Sequence, residues 1–138
     1  MSIADGRRTD ATARPAARLR ELAPLEHSDL RRAHRIYDRG RLQIDFDAYE
    51  VLVDGRKVNL FLREYKLLCF FVSVPNRVFS RTQILNLVWE RDTGIGPRTV
   101  DVHIRRLRKR IERDAGHPEL IVTVRGVGYK FDDRALSL

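Results

Sequence analysis

The sequence feature that most limits the fold is residues 97–113, a segment with two chemically different sides at helical spacing. Its apolar side consists of Val100, Ile104, Leu107 and Ile111. Its opposite side consists of Arg98, Val102, Arg105, Arg106, Lys109 and Arg113. An apolar stripe of this kind packs against other elements, which leaves the basic side facing outward. Pro97 suits a first helical turn and Gly116 suits a helix end, so we predict a helix over residues 97–113.

The positive charge of the chain is concentrated in the same segment. The 138 residues include 27 Lys and Arg against 19 Asp and Glu, which gives a formal charge of +8. Residues 1–34 contain seven Arg and five acidic residues, whereas residues 97–113 contain seven basic residues and two acidic ones. A polyanion is the natural partner of a helix with this excess.

The composition excludes several classes of protein. Cys69 is the only cysteine and lies in an apolar run, which excludes a disulfide framework and a cysteine metal site. No run approaches the roughly 20 apolar residues that cross a bilayer, so we expect a soluble, cytoplasmic protein with no membrane partner. The four histidines lack metal-ligand spacing, and no histidine is tied by a motif to Cys69 or Ser80. We therefore expect no enzyme, no metal and no cofactor.

The region before the first helix predicts antiparallel strands. Apolar residues alternate with polar ones over residues 41–46 and again over residues 49–53, as in half-buried strands. Asp54 and Gly55 favour a type I′ turn, because both tolerate positive φ angles, and residues 57–60 form the next strand.

Two helices are predicted before the basic one. Residues 62–73 are apolar on a broad face until Pro75 interrupts the pattern, which indicates a buried helix. Ser80 and Gln83 have capping-box spacing at the start of a helix over residues 80–89.

The C-terminal region predicts a hairpin and completes the fold class. Residues 121–124 and 129–131 are strand signals, separated by a turn that contains two glycines. The order of elements predicts an α+β fold, a winged helix-turn-helix with an N-terminal four-stranded antiparallel sheet, three helices and a C-terminal β-hairpin wing. We expect this domain at residues 35–133, after a flexible basic N-terminal arm at 1–34 and before a C-terminal tail at 134–138.

The outward basic side is suited to duplex DNA. A helix fits the major groove, where guanidinium groups bond guanine edges or phosphates and Val102 suits a thymine methyl. Thr123, Arg125 and Tyr129 flank the hairpin turn and are suited to phosphate. We interpret the chain as a sequence-specific binder of double-stranded DNA.

Three other interpretations remain open. The basic side can be an ordinary solvated face, or the winged helix can serve protein association through its arm or sheet. An RNA or anionic-membrane binder also needs a basic face, but RNA-binding modules usually expose aromatic residues, and the predicted helix has none.

Two motifs resemble the OmpR/PhoB family of response-regulator effector domains. Residues 98–109 read RTVDVHIRRLRK, and residues 123–131 read TVRGVGYKF. The resemblance extends over residues 42–131, about two-thirds of the chain. It implies a winged helix whose third helix enters the major groove and whose hairpin contacts the adjacent minor groove. Family members usually occupy tandem direct-repeat sites, which implies a dimer on DNA.

The resemblance also implies roles for individual residues. The positions that face bases are Asp101, Val102 and Arg106. The positions that contact phosphate are Trp89, Arg98, Thr99, His103, Arg105 and Arg108, with Lys109 added from the basic side. The wing contacts are Thr123, Arg125 and Tyr129. Residues 90–96 correspond to the loop through which family members touch RNA polymerase.

The chain departs from the family pattern in two respects. Phe61 stands where the family has a threonine that caps the first helix, so we expect this helix to start elsewhere or to be weaker. A receiver domain needs on the order of 100 residues, whereas about 34 precede the sheet. We therefore expect a stand-alone regulator or an effector module separated from its receiver, and the resemblance gives no support for a phosphorylation switch.

Overall fold

The computed structural model describes residues 35–89 and 96–137. These residues belong to two compact units, the first containing residues 35–59 and 136–137 and the second containing residues 60–89 and 96–135. The predicted arm at residues 1–34 and nearly all of the loop at 90–96 lie outside the described residues.

The first unit contains an antiparallel sheet in the order β1-β2-β3-β4. Its strands are β1 (Ile36–Asp38), β2 (Leu42–Asp45), β3 (Glu50–Val53) and β4 (Arg56–Val58). Alternate residues are buried, including Leu42 and Ile44 on β2, as the alternating pattern predicts. Asp54 and Gly55 have φ angles of 51° and 79°, which confirms the predicted type I′ turn.

The second unit contains three helices and a two-stranded hairpin. Its elements are α1 (Leu62–Ser73), α2 (Arg81–Ile84) continued by a π-helical segment (Leu85–Trp89), α3 (Pro97–Ile111), β5 (Ile121–Val124) and β6 (Gly128–Phe131). A 3-10 helix over Asp133–Ser137 follows. None of the helices described is long and apolar enough to cross a membrane. The predicted order of strands, helices and wing is confirmed.

The apolar stripe of α3 lies in the core of this unit. Val100, Ile104, Leu107 and Ile111 are at most 1% exposed. The helix packs on both α1 and α2. Because these four residues are buried, the helix can present only its remaining sides to a partner.

The predicted start of α1 is in place, although its cap is incomplete. The helix begins at Leu62. The expected shift of its start, caused by Phe61 in place of a capping threonine, therefore does not occur. Glu64 Oε1 accepts a hydrogen bond from the Phe61 amide at 3.2 Å. The Phe61 ring offers no acceptor in return, which leaves half of a capping box.

The predicted end of the third helix is wrong by two residues. We predicted residues 97–113, with Gly116 as the terminator, but α3 ends at Ile111 and Glu112 is extended, with φ −80° and ψ 147°. The physical reason is the Glu112 side chain, whose carboxylate accepts hydrogen bonds from the three successive amides of residues 119–121. Gly116 lies in the following loop, where its amide bonds Asp114.

Candidate nucleic-acid interface

One side of α3 is solvent-exposed and has no protein partner among the described residues. This outward face consists of Val102, Arg105, Arg106 and Lys109, all exposed. Its three cations make no hydrogen bond or ion pair within residues 35–89 and 96–137. Val102 is 45% exposed and is the one apolar side chain of this face. The outward face is therefore an exposed cationic surface that attracts anions.

A second side of α3 faces the wing, and each of its polar side chains forms hydrogen bonds. This wing-facing flank consists of Asp101, Arg108 and Glu112. Asp101 Oδ1 accepts hydrogen bonds from Arg81 Nε and from the Tyr129 hydroxyl, each at 2.6 Å. One carboxylate oxygen thus joins α2, α3 and β6.

The environment of Tyr129 is set by this network. Its ring is buried, and the guanidinium carbons of Arg81 and Arg108 lie 5.6 Å and 5.5 Å from the ring centroid. Burial raises the pKa of Tyr129, and the hydrogen bond to Asp101 adds to the rise. The hydrogen bond to Asp101 also raises the pKa of Arg81 above its ordinary value. The phenol is therefore a neutral donor and Arg81 a permanent cation.

Arg108 bonds the wing directly. Its Nε and Nη2 atoms donate to the Ile121 carbonyl at 3.0 Å and 2.7 Å, and Nη2 also donates to Thr123 Oγ1 at 2.8 Å. Partial burial lowers the pKa of Arg108 from its ordinary value. Arg108 and Thr123, both predicted to contact phosphate, thus contact each other.

His103 and Trp89 lie together on a third side of α3. Their rings meet edge to face at 5.2 Å. His103 Nδ1 lies 2.9 Å from the Thr99 carbonyl, and Nε2 lies 3.8 Å from Glu64 Oε2, a carboxylate that is buried in α1. Trp89 is 6% exposed, and its Nε1 atom has no hydrogen-bond partner among the described residues.

The wing is attached to the segment that precedes α2. The Phe79 and Tyr129 backbones exchange two hydrogen bonds, of 2.8 Å and 2.9 Å. A Cβ atom on Gly128 would overlap the Phe79 carbonyl, so only glycine fits at this position. At the tip, Gly126 has a φ angle of 79°, and Arg125 is exposed beside it. The attachment leaves Arg125 as the exposed cation of the turn.

Sequence reasoning missed three residues that form hydrogen bonds or ion pairs at this surface. Arg81 gave no signal, because its partner lies 20 positions away on another helix. Glu64 gave no sign of its contact with His103, which lies 39 positions later in the sequence. Glu112 was detectable, because Asp101, Arg108 and Glu112 are seven and four residues apart and therefore share one side of a helix.

Comparison with known proteins identifies the family. The sequence model described as "Transcriptional regulatory protein, C terminal" matches residues 55–131. The phosphate regulon transcriptional regulatory protein PhoB of Escherichia coli K12 is 38% identical over 125 residues, which cover 91% of this chain and 52% of PhoB. The chain thus spans about half the length of the curated relatives of this kind that it matches.

Two solved structures are similar to the chain. The response regulator DrrB of Thermotoga maritima, an OmpR/PhoB homologue, has a TM-score of 0.66 and 32% identity over 84% of this chain and 50% of its own. The DNA-binding domain of Klebsiella pneumoniae RstA, solved in complex with the RstA box, has a TM-score of 0.64 and 31% identity over 72% of this chain and 99% of its own. The chain therefore belongs to the OmpR/PhoB-type family of winged-helix transcriptional regulatory domains, a family of DNA-binding proteins and not of enzymes.

Proposed function

We propose that the chain binds double-stranded DNA of a specific sequence and so regulates bacterial transcription in the cytoplasm. In this proposal α3 lies in the major groove and the wing contacts the adjacent minor groove. The observation that carries it is the outward face, where Arg105, Arg106 and Lys109 are exposed and unpaired among the described residues. The complex of the similar RstA domain with the RstA box supports the same class of ligand.

Three residues are proposed to face bases. Arg106 can donate two hydrogen bonds to one guanine edge, and the exposed Val102 can contact a thymine methyl. Asp101 holds Arg81 and Tyr129 through Oδ1 alone, which leaves Oδ2 to accept a hydrogen bond from a cytosine amino group.

Phosphate contacts are proposed for a second group. Arg98 and Thr99 lie in the first turn of α3, where backbone amides favour an anion. The other members are the exposed Arg105, Lys109 and Arg125. Trp89 was also predicted to contact phosphate, but its Nε1 atom is buried, so we propose no such contact for it. His103, Arg108, Thr123 and Tyr129 were also predicted to contact phosphate. Because His103, Arg108 and Tyr129 already bond other residues, we propose no separate phosphate contact for them. The exposed Thr123 hydroxyl only accepts from Arg108, so it can still donate to a phosphate.

The assembly on DNA is proposed from the resemblance. Two copies occupy a tandem direct repeat, and residues 90–96 contact RNA polymerase. The domain spans residues 35–133. The match to PhoB covers 91% of this chain and so includes part of residues 1–34.

Selection of bound sites from random duplexes tests the proposal. Arg106→Ala should weaken binding to the selected site by roughly 1 to 3 kcal/mol and flatten the sequence preference. Arg125→Ala should weaken binding to selected and scrambled duplexes alike. Equal losses on every duplex for both variants would contradict base reading by α3.

Salt dependence separates this proposal from the protein-association alternative. Each phosphate that the protein neutralises releases counterions, so the affinity should fall steeply as salt increases. A chain that enriches no sequence, and whose interactions are insensitive to salt, would instead be a protein-binding winged helix.

A further inference from the structure

Two side chains of α3 bind the backbone of one residue at the start of the wing. Glu112 Oε2 accepts the Ile121 amide at 2.8 Å. Arg108 donates to the carbonyl of the same residue through Nε at 3.0 Å and Nη2 at 2.7 Å. Because Arg108 and Glu112 are one helical turn apart, they reach the two polar groups of Ile121 from the same side.

The Glu112 carboxylate also organises the chain before the wing. Its Oε1 atom accepts the amides of Glu119 and Leu120 at 2.9 Å and 3.1 Å. Hydrogen bonds to an ionised carboxylate are about twice as strong as neutral ones. Three successive amides are therefore held to the end of α3 by one charged group, at the point where the chain enters β5.

We infer that Arg108 and Glu112 are positioning residues that set the wing against α3, so that Arg125 and the outward face reach one duplex together. The inference rests on the proposed function for its consequence on DNA. A two-stranded hairpin is marginally stable by itself, so its orientation has to be imposed by other elements. β6 is held by Phe79 and Asp101, and Arg108 and Glu112 hold β5.

The effect of Glu112→Gln on duplex affinity distinguishes a positioning role from a simple effect of charge, because the two predict changes of opposite sign. Glu112→Gln removes a negative charge from the neighbourhood of DNA, so charge alone predicts tighter binding. It also replaces one carboxylate oxygen with an amino group, which cannot accept an amide hydrogen. Positioning therefore predicts weaker binding, by about tenfold. Glu119→Gln is the matched control, because this exposed side chain has no hydrogen bond in the described part of the chain, and it should leave binding unchanged or slightly tighter.

A double-mutant cycle assigns the loss to the wing. Arg125→Ala should weaken binding by about tenfold in the native background and by less than about threefold with Glu112→Gln, because a misplaced wing has little contact left to lose. The full Arg125→Ala effect in both backgrounds, or tighter binding by Glu112→Gln, would overturn the inference.

Arg108→Lys tests the other half of the pair. This variant keeps the positive charge but loses the planar fork that bonds Ile121 and Thr123. A phosphate contact predicts nearly native affinity, whereas positioning predicts a loss similar to that of Glu112→Gln. The thermal unfolding curve of each variant establishes that it is folded. If Glu112→Gln does not fold, the duplex affinity of Arg108→Lys alone tests the positioning role.

Amide hydrogen exchange in the free protein tests the geometry without DNA. The amides of residues 119–121 should exchange at least about tenfold faster in Glu112→Gln and at the native rate in Glu119→Gln. Unchanged exchange would overturn the positioning role. If no duplex is bound but the exchange responds as stated, the proposed function fails and the bonding of the wing by Glu112 stands.

Discussion

The outward face and the wing-facing flank of α3 are two surfaces of one helix with opposite bonding. The outward face presents Arg105, Arg106 and Lys109 without protein partners in the described chain. On the flank, Asp101, Arg108 and Glu112 hydrogen-bond six other residues, namely Arg81, Glu119, Leu120, Ile121, Thr123 and Tyr129. Charge is therefore a poor guide to role on this helix, because an arginine on one side is available to a ligand and an arginine on the other is already bound.

The largest expected effect is on the attachment of the wing. Gly128→Ala forces a Cβ atom against the Phe79 carbonyl and should lower the free energy of unfolding by about 3 kcal/mol or more. Gly96→Ala is the control, since a Cβ atom there meets nothing within 4 Å, and its change should stay within about 1 kcal/mol. Chemical denaturation measures both. Native stability of Gly128→Ala would show that the wing is not held as described.

A substitution on the outward face should have the opposite profile. Arg105→Gln should leave the free energy of unfolding within about 0.5 kcal/mol of native, because the side chain has no described partner. It should reduce the slope of log affinity against log salt by about one. Binding titrations at several salt concentrations give the slope. A native slope together with a lower free energy of unfolding would show that Arg105 stabilises the fold and does not contact phosphate.

On the flank, Tyr129→Phe removes only the hydroxyl that bonds Asp101. We expect the free energy of unfolding to fall by about 1.5 kcal/mol, the lower end of the usual net value for a hydrogen bond to a charged partner. Thermal denaturation at neutral pH measures the change. Stability equal to that of the native protein would contradict the bonded description of the flank.

The same hydroxyl has a defined pH dependence. The pKa of Tyr129 is raised by burial and by Asp101, so its contribution to stability is fully present below the ordinary tyrosine pKa of about 10 and is lost as pH rises through the folded value. The ultraviolet difference between native protein and Tyr129→Phe, recorded against pH, isolates this phenol. Ionisation below the ordinary value would contradict the assigned environment.

The smallest expected effect lies on neither surface. Phe61→Thr supplies the missing acceptor at the start of α1 and should raise the free energy of unfolding by about 0.5 to 1 kcal/mol. Duplex affinity should not change. Denaturation and binding measured on the same variant check that the free energy of unfolding changes while the duplex affinity does not. A decrease in the free energy of unfolding would show that the Phe61 side chain packs favourably in the native protein.

Periodicity and turn chemistry were sufficient to predict most of the fold. The stripe from Val100 to Ile111 and the Asp54-Gly55 turn are local signals, and both are present as predicted. The predicted sheet had four strands, but only three of them were located in the sequence, because the first strand, Ile36–Asp38, is three residues long and gave no pattern of its own. The end of α3 was misplaced because Glu112 is a good helix former whose side chain bonds amides seven to nine residues later.

Only the part of the site that lies within one helix was predictable from the sequence. The spacing of Val102, Arg105, Arg106 and Lys109 placed them on one exposed side. The partner of Asp101 and the carbonyl bound by Arg108 depend on how distant segments meet, which no local pattern encodes. For Thr123 and Tyr129, the prediction located the wing correctly but did not reveal that their polar atoms bond α3.

Arginine side-chain NMR tests the division of α3 most directly. In free protein labelled with nitrogen-15, the Nε–H signals of Arg81 and Arg108 should be protected from exchange, and those of Arg105 and Arg106 should exchange rapidly. Addition of a selected duplex should shift and protect the signals of Arg105 and Arg106 and leave that of Arg108 nearly unchanged. A shift of Arg108 as large as that of Arg106, or no response from Arg105 and Arg106, would contradict the account.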